Sequence, residues 1–250
     1  MFYIPHPGSN PQPPELKPIL PSSSHHSTVQ IALADDHQLI RNSIKSLIEG
    51  NANYAVTIEA PSGLDLVTQL KTKKELPNIC IIDVSMGPLN GYETIFVIKK
   101  KWPQIKIIAL SIYEHELLIT KILQAGAASY LHKNCDAFTL YEAIHQTATI
   151  GFYYTERVSK LIFKKINNKA NPEITDKELQ FLCLCCTDLG YKEIAQKMKV
   201  GERTLENYRD SLFHKLDKHT RSGLALFATT TGLVNLSMEY LMNSKLLDKV

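Results

Sequence analysis

The chain has 250 residues, 44% hydrophobic and 21% charged, with a formal net charge of +3. That length holds two ordinary domains of globular composition, and no stretch approaches the roughly 18 apolar residues that a membrane span requires. The charge is uneven: residues 1–150 carry 12 Lys+Arg against 13 Asp+Glu, residues 151–250 carry 16 against 12, and the mildly basic second half is compatible with a nucleic-acid partner without establishing one.

Residues 1–28 hold seven of the twelve prolines, several serines and the His25-His26 pair. Such a stretch buries too little apolar surface to offset its ordering entropy, and a disordered tail is expected. It has no apolar run suited to a signal peptide, so the expected location is cytoplasmic. From residue 29 the pattern alternates strand and helix five times. Strands are expected at 29–34, 55–60, 79–83, 105–110 and 129–131, helices at 38–49, 63–73, 92–101, 116–124 and 137–150. Continuous apolar strands between amphipathic helices imply an α/β domain, a doubly wound, five-stranded parallel sheet covered on both faces, over 29–150.

A polar linker follows over 151–172. Part of it reads as an amphipathic helix, because Lys160, Lys164 and Lys165 surround Leu161, Ile162 and Phe163. Residues 173–238 then form a small all-α domain. Thr175 and Glu178 make a capping box ahead of LQFLCLCC, and KEIAQKM is a short second helix. A turn at Val200-Gly201 leads into a third helix over 202–216, with Leu205, Tyr208, Leu212 and Leu216 on one face. A last helix spans 222–230, and 239–250 is a tail. The five cysteines (Cys80, Cys135, Cys183, Cys185, Cys186) have no metal-ligand spacing, and the last three read as reduced core residues.

Four residues far apart in sequence share one setting: Asp36, Asp83, Ser111 and Lys133 each follow a short apolar run. In a parallel α/β sheet the strand C-termini meet along one edge, where reactive groups collect. Two acids, a hydroxyl and a lysine gathered there form a magnesium-dependent, phosphoryl-accepting pocket. Asp35, Asp36 and Asp83 supply oxygen ligands for Mg²⁺, with Asp83 as nucleophile. Lys133 pairs with a phosphoryl oxygen, and the Ser111 hydroxyl hydrogen-bonds another. An Asp at a strand end is often only a helix cap, and a single lysine only surface, but four such residues in this order are not explained that way.

Through IALADDHQLIR, CIIDVSMGPLNGYE, IIALS and GAASYLHK, residues 28–150 resemble a response-regulator receiver domain, which has a flavodoxin-like fold. The resemblance implies phosphorylation of Asp83 by a phosphohistidine on a partner sensor histidine kinase. It implies Mg²⁺ held by Asp36, Asp83 and the Ser85 carbonyl, with Asp35 acting through water. It also implies that Tyr130 swings inward after the Ser111 hydroxyl moves, relaying the change to the face formed by the fourth helix, fifth strand and fifth helix, where a homodimer forms. Two positions depart from the family: Gly87 replaces its usual proline, and bulky Ile112 follows Ser111.

ITDKELQFLCLCCTDLGYKEIAQKMKVGERTLENYRDSLFHKLDKHTR resembles the LuxR-type helix-turn-helix domain that ends NarL/FixJ response regulators. The third helix is then expected in the major groove of double-stranded DNA. Arg203, Thr204, Glu206, Asn207, Arg209 and Asp210 are its groove-side candidates, since Arg reads guanine, Asn adenine, and Glu or Asp cytosine N4. Glu206 stands where many relatives carry a basic residue. Lys192, Lys215, Lys218 and Arg221 are the candidate phosphate contacts. The expected function is a DNA-binding transcription regulator and not an enzyme. A receiver whose helical domain binds protein is the alternative that Glu206 and Asp210 keep open. An aspartyl-phosphate phosphatase is disfavoured because Ser85 occupies the position of its second Asp.

Overall fold

The computed structural model describes residues 28–87, 89–167 and 174–236. Both expected tails, except Thr28, lie outside the described residues, as do Pro88 and the end of the expected linker.

Strands β1 (Val29–Ala34), β2 (Tyr54–Ala60), β3 (Ile79–Asp83), β4 (Lys106–Ser111) and β5 (Ser129–His132) form one parallel sheet in the order β2-β1-β3-β4-β5. The strands are nearly continuous in apolar residues because both faces are covered, and the pleat divides those residues cleanly. Ile31, Leu33, Ile79, Ile81, Ile108, Leu110 and Leu131 face α1 (Gln38–Glu49) and α5 (Ala137–Thr149). Ala32, Ala34, Cys80, Ile82, Ile107, Ala109 and Tyr130 face α2 (Gly63–Thr72), α3 (Gly91–Lys101) and α4 (Glu116–Gln124). Burying each large aliphatic side chain contributes roughly 1.5–3 kcal/mol. The chain reverses its winding between β1 and β3, and the crevice beyond their C-terminal ends is where such sheets bind ligands.

Gly91 shows how tightly that edge is built. A Cβ there would lie 2.2 Å from the Asp83 carbonyl oxygen, so only glycine lets α3 start against the end of β3. In the loop between them Leu89 is buried with φ 61°, a left-handed conformation that costs a leucine energy and is held by its surroundings.

Part of the expected linker is indeed helical, as α6 (Glu156–Asn167). The C-terminal domain contains α7 (Asp176–Leu184), α8 (Tyr191–Met198), α9 (Glu202–Leu216) and α10 (Arg221–Thr230). A short 3₁₀ turn, η1 (Leu233–Leu236), follows where no element was expected. The capping box of α7 is complete: the Glu178 amide donates to Thr175 Oγ1 at 3.2 Å and the Thr175 amide donates to Glu178 Oε2 at 2.8 Å. Phe181, Ile194, Leu205, Leu212, Leu224, Leu233 and Leu236 fill the core of this domain, which is continuous with the α2–α4 side of the sheet domain.

The two halves are packed together. Helix α6 lies along α4, Arg157 pairs with Glu114, Lys164 Nζ is 3.0 Å from Glu116 Oε2, and Lys121 Nζ is 2.9 Å from Asp176 Oδ1. Helix α6 of the expected linker thus covers part of α4, one of the three elements of the face expected to form the homodimer.

Candidate functional site

Asp83 and Asp35 are buried at the ends of β3 and β1, with the Lys133 ammonium between them. Lys133 Nζ lies 2.7 Å from Asp83 Oδ2 and 2.8 Å from Asp35 Oδ2. Burial pushes the Asp83 carboxyl above its ordinary value, against the pull of Lys133 and of the Ser85 amide, which donates to Asp83 Oδ1 at 3.0 Å. Burial alone would lower Lys133, but its bonds to Asp35 and Asp83 outweigh that and raise it, so the ammonium stays charged.

The carboxylates of Asp35, Asp36 and Asp83 and the His37 ring offer ligand atoms that all lie within 4.8 Å of one another. Asp35 Oδ2 and Asp83 Oδ2 both lie against the Lys133 ammonium, at 2.8 and 2.7 Å. Three carboxylates gathered at one point suit a hard, oxygen-seeking cation, so the residues present fit Mg²⁺. Asp35 is fully buried and Asp36 is exposed at the rim.

Ser111 ends β4 fully buried, its Oγ accepting from the Tyr113 amide at 3.1 Å. Tyr130 is buried on β5 and its hydroxyl donates to the Tyr113 carbonyl at 2.6 Å. The aromatic expected to swing inward is therefore already inside, tied to the loop after Ser111. Ile112 points outward, 56% exposed, beside the pocket.

In the C-terminal domain, α8 ends at Lys199 in the left-handed conformation, and Val200-Gly201 turn the chain into α9. Leu205 and Leu212 are the buried face of α9, while Arg203, Thr204, Glu206, Asn207 and Asp210 are exposed. Arg209 Nε lies 2.8 Å from Asp210 Oδ1, so the two charges largely cancel. Lys192 is exposed at the start of α8, and Lys218 lies over the Phe227 ring with its ammonium 5.9 Å from the centroid.

Residues 31–145 match the model of the response regulator receiver domain, and residues 172–228 match that of bacterial regulatory proteins of the luxR family. The chain belongs to the response regulators. The regulator is 24% identical over 230 residues to transcriptional regulatory protein DegU of Brevibacillus brevis, covering 84% of this chain and 97% of that one. It is 29% identical over 196 residues to a nitrate/nitrite response regulator protein homolog of Haemophilus influenzae, covering 77% and 92%. Its fold is similar to that of RcsB from Salmonella enterica serovar Typhimurium, solved bound to promoter rprA with BeF₃⁻, at TM-score 0.63 and 21% identity over 81% of this chain and 98% of that one.

Two of the regulator's candidate phosphate contacts are occupied by other work. Lys215 Nζ donates to Glu178 Oε1 at 2.8 Å and to Oε2 at 2.7 Å, and is mostly buried. Arg221 donates to the Cys185 and Thr187 carbonyls, satisfying the end of α7, and its guanidinium stacks 5.7 Å from the Tyr191 ring centroid. Both side chains, expected as phosphate contacts, are thus bonded within their own domain. Two histidines were passed over in the sequence. His37 Nδ1 lies 2.7 Å from Asp36 Oδ1, and His132 reaches across from β5 so that a ring nitrogen is 3.0 Å from the Ile112 carbonyl. The only signal for either was its adjacency to Asp36 or to Lys133.

Proposed function

We propose that this response regulator accepts a phosphoryl group on Asp83 from a partner histidine kinase and, so modified, controls transcription by binding double-stranded DNA through α9. The observation that carries the reading is the convergence of Asp83, Asp35, Lys133 and Ser111 from four strand ends into one buried edge. An Asp83 carboxylate oxygen attacks phosphorus, the P–N bond to the donor imidazole breaks, and the imidazole leaves with that electron pair. Lys133 meets the added charge from one side, and the Ser111 hydroxyl donates to a phosphoryl oxygen from the other. Asp36, Asp83 and the Ser85 carbonyl would hold Mg²⁺, with Asp35 through water; when bound it neutralises charge on the carboxylate and the incoming group.

Residues 29–150 serve as receiver, 151–172 as linker and 173–238 as the DNA-binding unit. The phosphorylated form is a homodimer that presents two α9 helices to paired half-sites in the cytoplasm. Arg203, Thr204, Glu206, Asn207, Arg209 and Asp210 face the groove, with Lys192 and Lys218 toward phosphates.

With Mg²⁺ and acetyl phosphate the wild-type chain gains one phosphoryl group, read by intact mass and mapped to Asp83, and Asp83→Asn gains none. Undiminished labelling of Asp83→Asn sinks the assignment. The cancellation of Arg209 by Asp210 beside Glu206 favours one second reading, a helical domain that binds a protein partner. Mobility shifts on genomic fragments, with and without phosphodonor, separate the two: no shift under either condition supports the protein-binding reading.

A further inference from the structure

We propose that the His37 imidazole is a fourth side-chain ligand in the acidic pocket, so that this pocket takes a first-row transition ion in preference to Mg²⁺. This rests on the metal reading above and names the class of ion.

His37 follows Asp35 and Asp36 directly and stands at the head of α1, where a side chain commonly caps the first helical amides. Ser62, Asn90 and Asp136 do so for α2, α3 and α5. A histidine in that place can cap as well: at the head of α4 the Leu117 amide donates to His115 Nδ1 at 3.3 Å. The His37 side chain makes no such bond to α1. Its ring is turned onto the acids instead, with Nδ1 2.7 Å from Asp36 Oδ1 and 3.5 Å from Asp35 Oδ1. The backbone supports this placement, because the His37 amide donates to Asp35 Oδ1 at 2.8 Å and holds the residue beside the carboxylates.

Ligand atoms around an octahedral ion with bonds of about 2.1 Å lie about 3 Å apart when adjacent and about 4.2 Å apart when opposite. One atom each from Asp35, Asp36, His37 and Asp83 fall within 4.8 Å of one another, so the four already approach that spacing. Three of the donors are hard oxygens, which suit Mg²⁺. The fourth is a nitrogen. Neutral imidazole is a common ligand of transition ions, whose affinity for a mixed nitrogen and oxygen site rises from Mn²⁺ through Co²⁺ to Ni²⁺. Mg²⁺ gains little from such a donor. The His37 side chain is 63% exposed, so an entering ion can reach the ring from solvent. Paired with each other, ring and Asp36 wait at the rim as two adjacent donors.

Co²⁺ is the probe, used on the full-length chain. Calorimetry should show a Co²⁺ site from which excess Mg²⁺ displaces the ion. His37→Gln should weaken Co²⁺ at least about tenfold, the loss that removing even an outer partner of a metal ligand brings, and change Mg²⁺ affinity less than about twofold. Proton NMR of the Co²⁺-loaded protein should show a far-shifted, solvent-exchangeable ring N–H resonance, lost on Mg²⁺ addition and absent from His37→Gln. If wild type binds neither ion, the metal reading itself fails. Co²⁺ that binds in competition with Mg²⁺ but gives no such resonance leaves that reading standing and removes His37 from the ligand set. A resonance that survives His37→Gln puts the ion on another histidine, such as the His25-His26 pair, and overturns the proposal. So does a His37→Gln variant that binds both ions more tightly by the same factor, since His37 is then only the ion-pair partner of Asp36.

Discussion

Lys215 separates a structural cation from a DNA-contacting one. Its ammonium makes two charge-assisted hydrogen bonds to a Glu178 carboxylate that is itself buried and also accepts from Ser211 and Thr175. Lys215→Met keeps the stem of the side chain but leaves that carboxylate without its cation. Removing one partner of such a pair should cost about 3 kcal/mol, mostly as the penalty of an unpaired buried charge. In a domain of this size that lowers the midpoint of the C-terminal unfolding transition by roughly 10–20 °C in a calorimetric or circular-dichroism melt. The pH dependence has a definite sign. Burial would raise the Glu178 pKa, but Lys215, Ser211 and Thr175 together hold it below the ordinary glutamate value. Its contribution is therefore complete above the unfolded pKa of about 4.3 and is lost as pH falls through the lower folded value. The gap between wild type and Lys215→Met should close over that same acidic window. An unchanged melt, together with a drop of about one in the salt slope of DNA binding, would refute the structural role and restore Lys215 as a phosphate contact.

Gly91→Ala drives a methyl group into the Asp83 carbonyl, so the receiver should lose about 1–3 kcal/mol by denaturant titration and label more slowly with acetyl phosphate; a wild-type midpoint would contradict the close approach. Lys133→Met removes the cation lying 2.7 Å from Asp83 and 2.8 Å from Asp35, so Mg²⁺ should raise its melting temperature more than it raises that of wild type. Equal shifts would mean that Lys133 and the cation do not share the same charges. Glu206→Lys, at an exposed position of α9, should strengthen non-specific DNA binding and steepen its salt dependence by about one; no change would mean that this face does not meet the phosphates.

The sheet, its two covered faces and the first four helices of the second domain were legible because hydrophobic period reports which face of an element is buried. The strand-end residues Asp83, Ser111 and Lys133 were legible for a related reason: a parallel sheet brings every strand C-terminus to one edge, so strand assignment alone gathers them. Asp35 and Asp36 were both seen, but only the fold buries the first and leaves the second at the rim. The short turn η1 was missed, since LVNL after Gly232 carries too few residues to show a period.

What the sequence determined by itself is the class of each element and which strand ends share one edge of the sheet. Tertiary structure alone decided which charges are spent. Lys215 and Glu178 are 37 residues apart, and a lysine on a helix reads the same whether water or a buried carboxylate holds its ammonium. Arg221 and the Cys185 carbonyl, and Tyr113 and Gly232, meet across similar or longer separations. Periodicity encodes that a face must be covered; the covering partner is set by how whole elements pack, and no local pattern in the chain carries that.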